Sequence, residues 1–180
     1  ERLSKEGNDA YLLSDQELPG KRESGFKYRF YRNIQNGSAL NKILSSISPD
    51  YIIFAGNHYI NGAYSEEEEE DVTQFAKVLQ VLPKLPGVKV ALLSSIEVYG
   101  GVKTPADEDC ERRPVTQRGL RFVREEILLE LYRQQYGIEG IILRSSQLYS
   151  DQAREGNQDF LSAAFTQVGH LSEGEHISDE

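Results

Sequence analysis

Short continuous apolar runs and spaced apolar sets take turns along this chain, and the two patterns predict different elements. The first run is Ala10-Tyr-Leu-Leu-Ser14, just after a helix stop at Gly7-Asn8. It reads as a buried strand. Residues 16–25 are polar and carry Pro19-Gly20, so they predict a loop. Phe26, Tyr28 and Phe30 then alternate with Lys27, Arg29 and Tyr31, the period of a half-exposed strand near a sheet edge. From Ser38, a helix cap, the set Leu40, Ile43, Leu44 and Ile47 marks one helical face, and Pro49-Asp50 ends it.

Tyr51-Ile-Ile-Phe-Ala55 is the next buried strand, closing on the small pair Ala55-Gly56 that would let a ligand approach the backbone. Ser65 and Glu68 form a capping box, and the acids Glu66 to Glu70 suit the start of a helix. That helix buries Val72, Phe75, Ala76, Leu79 and Leu82, and Pro83 stops it. A third run, Val90-Ala-Leu-Leu93, breaks into Ser94-Ser95 and then Val98-Tyr99-Gly100-Gly101. A strand that ends in hydroxyls and a glycine turn lies where open α/β sheets place ligands, although Ser and Gly also end strands for turn reasons alone.

After an acidic loop over 104–114, a long helix is predicted from about Val115 to Gln135. Leu120, Val123, Ile127 and Leu131 are its expected core face, with Gln117, Arg121 and Glu125 on a neighbouring polar face. Gly137 closes it, Ile138 to Leu143 is a strand, and Arg144-Ser145-Ser146 follows. Phe160 to Val168 reads as a last amphipathic helix. Strands alternating with helices in this order predict a parallel sheet with helices on both faces.

Composition narrows the function classes. The chain has 180 residues, enough for one domain with a core, and a net charge of −9, which argues against a nucleic-acid surface. No apolar run has the length of a bilayer span, so no membrane association is expected. The single cysteine, Cys110, supports neither a disulfide nor a metal site; a reducing, cytoplasmic location is expected. His58, His170 and His176 lack ligand spacing, and no metal is expected. The chain contains no methionine, which reads as a segment of a longer protein.

Taken together, Pro49-Asp-Tyr-Ile-Ile-Phe-Ala-Gly56, Ser94-Ser-Ile-Glu-Val-Tyr-Gly100, Glu111 and Pro114 before the long helix, Ile141-Ile-Leu-Arg144, and Leu148-Tyr149 resemble the extended short-chain dehydrogenase/reductase family, the epimerases and dehydratases of nucleotide sugars. The resemblance implies a Rossmann-type doubly wound parallel sheet binding NAD or NADP, with residues 1–150 as the nucleotide-binding core and 151–180 as the start of a substrate-side region. It also implies a nucleotide-sugar or other small-molecule ligand, and a homodimer through the helix after Pro114. Asp15 would be the acceptor for the ribose hydroxyls, unless it only forms a turn, and Ala55 and Gly56 would lie against the cofactor.

The family moves a proton with a Ser or Thr and a Tyr-x-x-x-Lys pair, because a phenol is a poor base at neutral pH unless a cation acidifies it. Ser95 resembles the hydroxyl. Glu97 falls where some dehydratases carry a catalytic glutamate, with Ile96 in place of the usual aspartate. Matching the glycine that commonly follows the tyrosine to Gly119 puts Arg118 and Phe122 at the Tyr and Lys positions; one register over gives Gln117 and Arg121. Neither pair can transfer a proton. Tyr99-x-x-x-Lys103 matches only as a string, since Gly100 and Gly101 oppose a helix there. Tyr132 and Tyr136 have no lysine beside them and are expected to pack.

These departures lead to an expected degenerate family member with a structural or regulatory role. The alternative is an active enzyme relying on Ser95, Glu97 and Tyr99. The family's first strand and its glycine-rich loop are not found in the chain. That strand lies mid-sheet in the order 3-2-1-4-5-6, so the strands at Ala10 and Tyr51 are expected to lack a neighbour between them.

Overall fold

The computed structural model describes residues 6–14, 28–31, 37–55, 67–101 and 106–146. The described residues form five strands and three α-helices: β1 (Tyr11–Ser14), β2 (Tyr28–Tyr31), α1 (Gly37–Ile47), β3 (Tyr51–Phe54), α2 (Glu67–Val81), β4 (Lys89–Ser95), α3 (Gln117–Tyr136) and β5 (Glu139–Ser145). Every strand pair is parallel, as βαβ crossovers require. The strands form two separate ladders, β1-β2 and β3-β4-β5. Leu13 of β1 and Ile52 of β3 pack on the same helix pair, against Leu40 and Leu44 of α1 and Val78 and Val81 of α2. The expected break in the sheet therefore lies between β1 and β3, over shared helices.

The main core lies on one face of the three-stranded ladder. Phe54, Val90 and Leu92 meet Phe75 and Leu79 of α2 and Leu129 of α3, and the Phe54 and Phe75 rings are 4.6 Å apart. Burying rings and branched aliphatics of this size is the main favourable term in folding. All three described helices cover this face. The opposite face, where helices were also expected, shows Tyr51, Ile53, Ile141 and Leu143 exposed. The predicted Phe160–Val168 helix and the 150/151 domain boundary lie outside the described residues, as do Asp15, Gly56, Ser65, the glycine pair's neighbour Lys103, and all three histidines.

Pro83 marks the end of α2 as expected: the α-helix stops at Val81, and Pro83 lies in the first turn of a separate 3₁₀ helix, Leu82–Lys84, where its missing N–H costs no hydrogen bond. One correction concerns α3. Of its expected core face only Val123 is buried, while Leu120, Ile127 and Leu131 are 44%, 49% and 42% exposed. Arg121 and Glu125, expected on the polar face, are buried, together with Phe122, Glu126 and Leu129. The helix turns a partly charged stripe inward because that interior supplies charge partners, and the apolar stripe is left outside.

Candidate functional site

At its carboxyl end β4 turns into a 3₁₀ helix, Ile96–Tyr99, rather than an open glycine turn. Ser95 caps it, its Oγ accepting from the Glu97 N–H at 3.2 Å. Gly100 follows at φ 66°, and a side chain there would meet the Arg113 carbonyl at 2.2 Å, so glycine alone fits. The Arg113 N–H donates to the Val98 carbonyl at 2.9 Å, which ties the acidic loop to the end of β4.

The start of α3 is brought against this turn. Thr116 caps the helix, accepting from the Gly119 N–H at 2.9 Å, and its hydroxyl donates to Glu97 Oε2 at 3.0 Å. A Cβ on Gly119 would lie 2.6 Å from the Glu97 carbonyl, so this glycine permits the close approach. Arg118 donates to Glu97 Oε1 from Nε at 2.8 Å and also from Nη2. The Glu97 carboxylate thus sits at a helix N-terminus and on a guanidinium, both favourable for an anion. Burial raises its pKa, but the hydrogen bonds from Arg118 and Thr116 and the charges of Arg118 and Arg121 outweigh it, and the net direction is downward.

Sequence position alone did not join Glu97 to Arg118. The structure does, and it separates the other register: Gln117 is exposed, while Arg121 is buried with its guanidinium 4.3 Å from the Phe122 ring centroid. Phe122 itself packs with Val98, Tyr99 and Val123. Ala55 is exposed at the end of β3.

A second polar group lies directly beneath, on the helix-covered face, and sequence reading missed it. Glu126, wholly buried, accepts from Ser94 Oγ at 2.6 Å, from Arg112 Nη1 at 3.1 Å, and from Arg144 Nε and Nη2 at 3.0 and 2.8 Å. Arg112 also grips Glu130 with two bonds of 3.1 Å. Arg144 continues to the Tyr99 hydroxyl at 2.6 Å and the Glu108 carbonyl at 2.9 Å. The Glu126 hydrogen bonds push the Arg144 pKa up against the effect of burial. Tyr99 is buried, 7% exposed, with its ring in the cluster of Val98, Phe122 and Val123 and its hydroxyl on Arg144. A buried carboxylate with this many donors fixes β4, β5, the acidic loop and α3 relative to one another. The signal available in sequence was Glu126 in the middle of the helix and Arg144 after a strand, with nothing to pair them.

A concavity of about 770 Å³ lined by Tyr51, Lys89, Arg133 and Gly137 lies at the amino ends of the strands, away from Ser95. Among the described residues no group of three or more His, Cys, Asp or Glu side chains could hold a metal ion, and no helix is long and apolar enough to cross a membrane.

A parallel sheet whose site is built at the end of β4 and the start of the following helix invites comparison with known families. The model of the NAD dependent epimerase/dehydratase family matches residues 1–177. The chain belongs to that family. Among solved structures, it is similar to a UDP-glucose 4-epimerase with UDP-glucose from Thermotoga maritima, at TM-score 0.71 and 21% identity over 90% of this chain and 55% of that one. A monomeric L-threonine 3-dehydrogenase from a metagenome gives TM-score 0.69 and 21% identity, covering 91% and 54%. A UDP-glucuronic acid 4-epimerase from Bacillus cereus in complex with NAD gives 0.64 and 19%, covering 84% and 53%. The chain therefore spans about half the length of these structures. A comparison with curated protein sequences gives no match. The Rossmann-type fold of the family is thus the fold of this chain.

Proposed function

We propose that this family member keeps the nucleotide-binding scaffold in residues 1–150, with 151–180 beginning a substrate-side region, and does not run the family's Tyr-Lys proton relay. The reading rests on one observation: Arg118, at the tyrosine position, is bonded to Glu97. Arginine keeps its proton at any working pH, and a carboxylate held below its ordinary range is a weak base. The pair that would replace the relay neutralises itself. Phe122, at the lysine position, lies in the apolar cluster beside it and brings no cation.

The residues present fit half of a dinucleotide site. The exposed, small Ala55 and the hydroxyl of Ser95 mark the carboxyl ends of neighbouring strands, where NAD or NADP would lie and supply a hydride acceptor. Asp15 and Gly56 would complete this side, and a glycine-rich turn on a strand between β1 and β3 would hold the pyrophosphate. A nucleotide sugar is the small-molecule ligand this scaffold suits. The role is structural or regulatory, in a cytoplasmic protein.

Calorimetry with NAD and NADP on the full-length protein, with turnover assays on UDP-sugars, tests the reading. Binding without turnover supports it. Oxidation or epimerisation of a nucleotide sugar, abolished by Ser95→Ala, overturns it and favours the active alternative based on Ser95 and Glu97.

The exposed stripe Leu120, Ile127 and Leu131 on α3 supports a homodimer through that helix. Apolar side chains spaced by seven and four along one helix make a seam that a second copy of the same helix can match.

A further inference from the structure

Two hydroxyls meet at the carboxyl ends of β4 and β5. Ser94 and Arg144 are partners across this ladder, and both bond Glu126 on the helix-covered face. Side chains alternate along a strand, so the next partners, Ser95 and Ser145, are carried to the other face. Both are half-buried. Their hydrogen bonds give them opposite roles. Ser145 Oγ donates its proton to the Ser94 carbonyl at 3.2 Å, so toward a ligand it can only accept. Ser95 Oγ accepts from the Glu97 N–H at 3.2 Å, and among the described residues no group takes its proton, so it can donate. The surroundings favour a neutral partner: Glu97 and Arg118 neutralise each other, and the next row on this face is Leu93 and Leu143.

We propose that Ser95 and Ser145 together hold a primary carboxamide, that of the nicotinamide ring of a bound dinucleotide. The proposal rests on the reading above that the scaffold binds NAD or NADP, and adds the group that these two residues take. A carboxamide has a carbonyl to accept from Ser95 and an NH2 to donate to Ser145. Neighbouring strands lie about 4.8 Å apart. One amide can bridge two partners about 5 Å apart when each bond is about 2.9 Å long and leaves at its trigonal angle. A carboxylate or a phosphate offers acceptors only and would set an oxygen against Ser145 Oγ. Leucine neighbours add a desolvation cost to its charge. Ser95 is then a group that orients the cofactor ring instead of moving a substrate proton, in keeping with the missing relay. Sequence pattern passes over Ser145, because a serine at a strand end also reads as a turn former.

The test is calorimetry on the full-length protein with three ligands. They are the dinucleotide that binds, NAD or NADP; its 3-acetylpyridine analogue, which keeps the carbonyl and replaces the NH2 by a methyl; and the matching ADP-ribose, which lacks the ring. The parent should bind the dinucleotide about 3–10-fold more tightly than the analogue, the contribution of one neutral hydrogen bond. Ser145→Ala should erase that preference while leaving ADP-ribose affinity unchanged. Equal affinities in the parent, a preference that survives Ser145→Ala, or ADP-ribose binding weakened by the substitution overturns the proposal and leaves the scaffold reading standing. Binding of neither dinucleotide removes both. Should Ser145→Ala lose its circular-dichroism signal, Ser145→Cys, near in size and only a weak acceptor, takes its place with the same expected loss of preference.

Discussion

Arg118 holds Glu97 with two of its nitrogens, Nε at 2.8 Å and Nη2, across the junction between the end of β4 and the first turn of α3. The two side chains, 21 residues apart in the chain, are therefore partners of each other. Either alone would leave a charge at a partly buried helix start; together, with the Thr116 hydroxyl, they satisfy the site.

The pairing has a pH signature. Because the Glu97 pKa is lowered on folding, its contribution to stability is fully present above the ordinary carboxyl value of 4.5 and is lost as pH falls through the lower folded value. Glu97→Gln is expected to lose about 1 kcal/mol at neutral pH, a modest figure because Arg118 is partly exposed. Denaturant titrations of parent and variant should differ at pH 7 and converge below pH 4.5. A gap that widens in acid would reverse the sign of this argument.

Glu126 carries a larger share. Glu126→Ala leaves Arg112 and Arg144 facing a buried void without their shared anion, and a loss of about 3–5 kcal/mol is expected. Urea unfolding measures it. A loss under 1 kcal/mol would mean water or another acid replaces the carboxylate.

Gly119 is fixed by packing rather than by its φ. Gly119→Ala puts a methyl 2.6 Å from the Glu97 carbonyl, with Pro114 and Thr116 also close, so the backbone must shift. The expected cost is about 1–3 kcal/mol, the range for overpacking, read as a lower thermal midpoint. Unchanged or higher stability would show that helix propensity outweighs the contact.

The split sheet predicts uneven amide exchange. The Lys89 N–H donates to the Asp50 carbonyl, so by alternation Ile52 and Phe54 face β4 while Tyr51 and Ile53 point their N–H groups into the break. In the 180-residue chain, Tyr51 and Ile53 should exchange much faster than Ile52 and Phe54. Equal protection at all four would mean that a strand already occupies the break.

Ile127→Glu tests the proposed dimer. A charge at the centre of the exposed α3 stripe should convert a dimer to monomer in sedimentation velocity while leaving the fold intact, since Ile127 is half exposed. A parent that sediments as a monomer at high concentration removes this seam from consideration.

Much of the architecture was legible from local pattern. Val72, Phe75, Leu79 and Leu82 recur at helical spacing and are buried as expected, and so are Leu40 and Leu44. The same reading failed on α3, where Leu120, Ile127 and Leu131 looked like the core face. A helical period says only that two faces differ. It assigns the apolar one to the interior by default, and here the interior offered Arg144, Arg112 and Ser94 to Glu126.

The sequence by itself determined the alternation of strands and helices, the family, the break between β1 and β3, and the absence of an ionisable phenol-amine pair at the start of α3, because each is a matter of residue type and order. Tertiary structure alone decided that Arg118 meets Glu97, that Glu126 binds Arg144, and which stripe of α3 faces inward. Those pairs are 21 and 18 residues apart in the chain, and only the packing of α3 against the ends of β4 and β5 brings them within hydrogen-bonding distance.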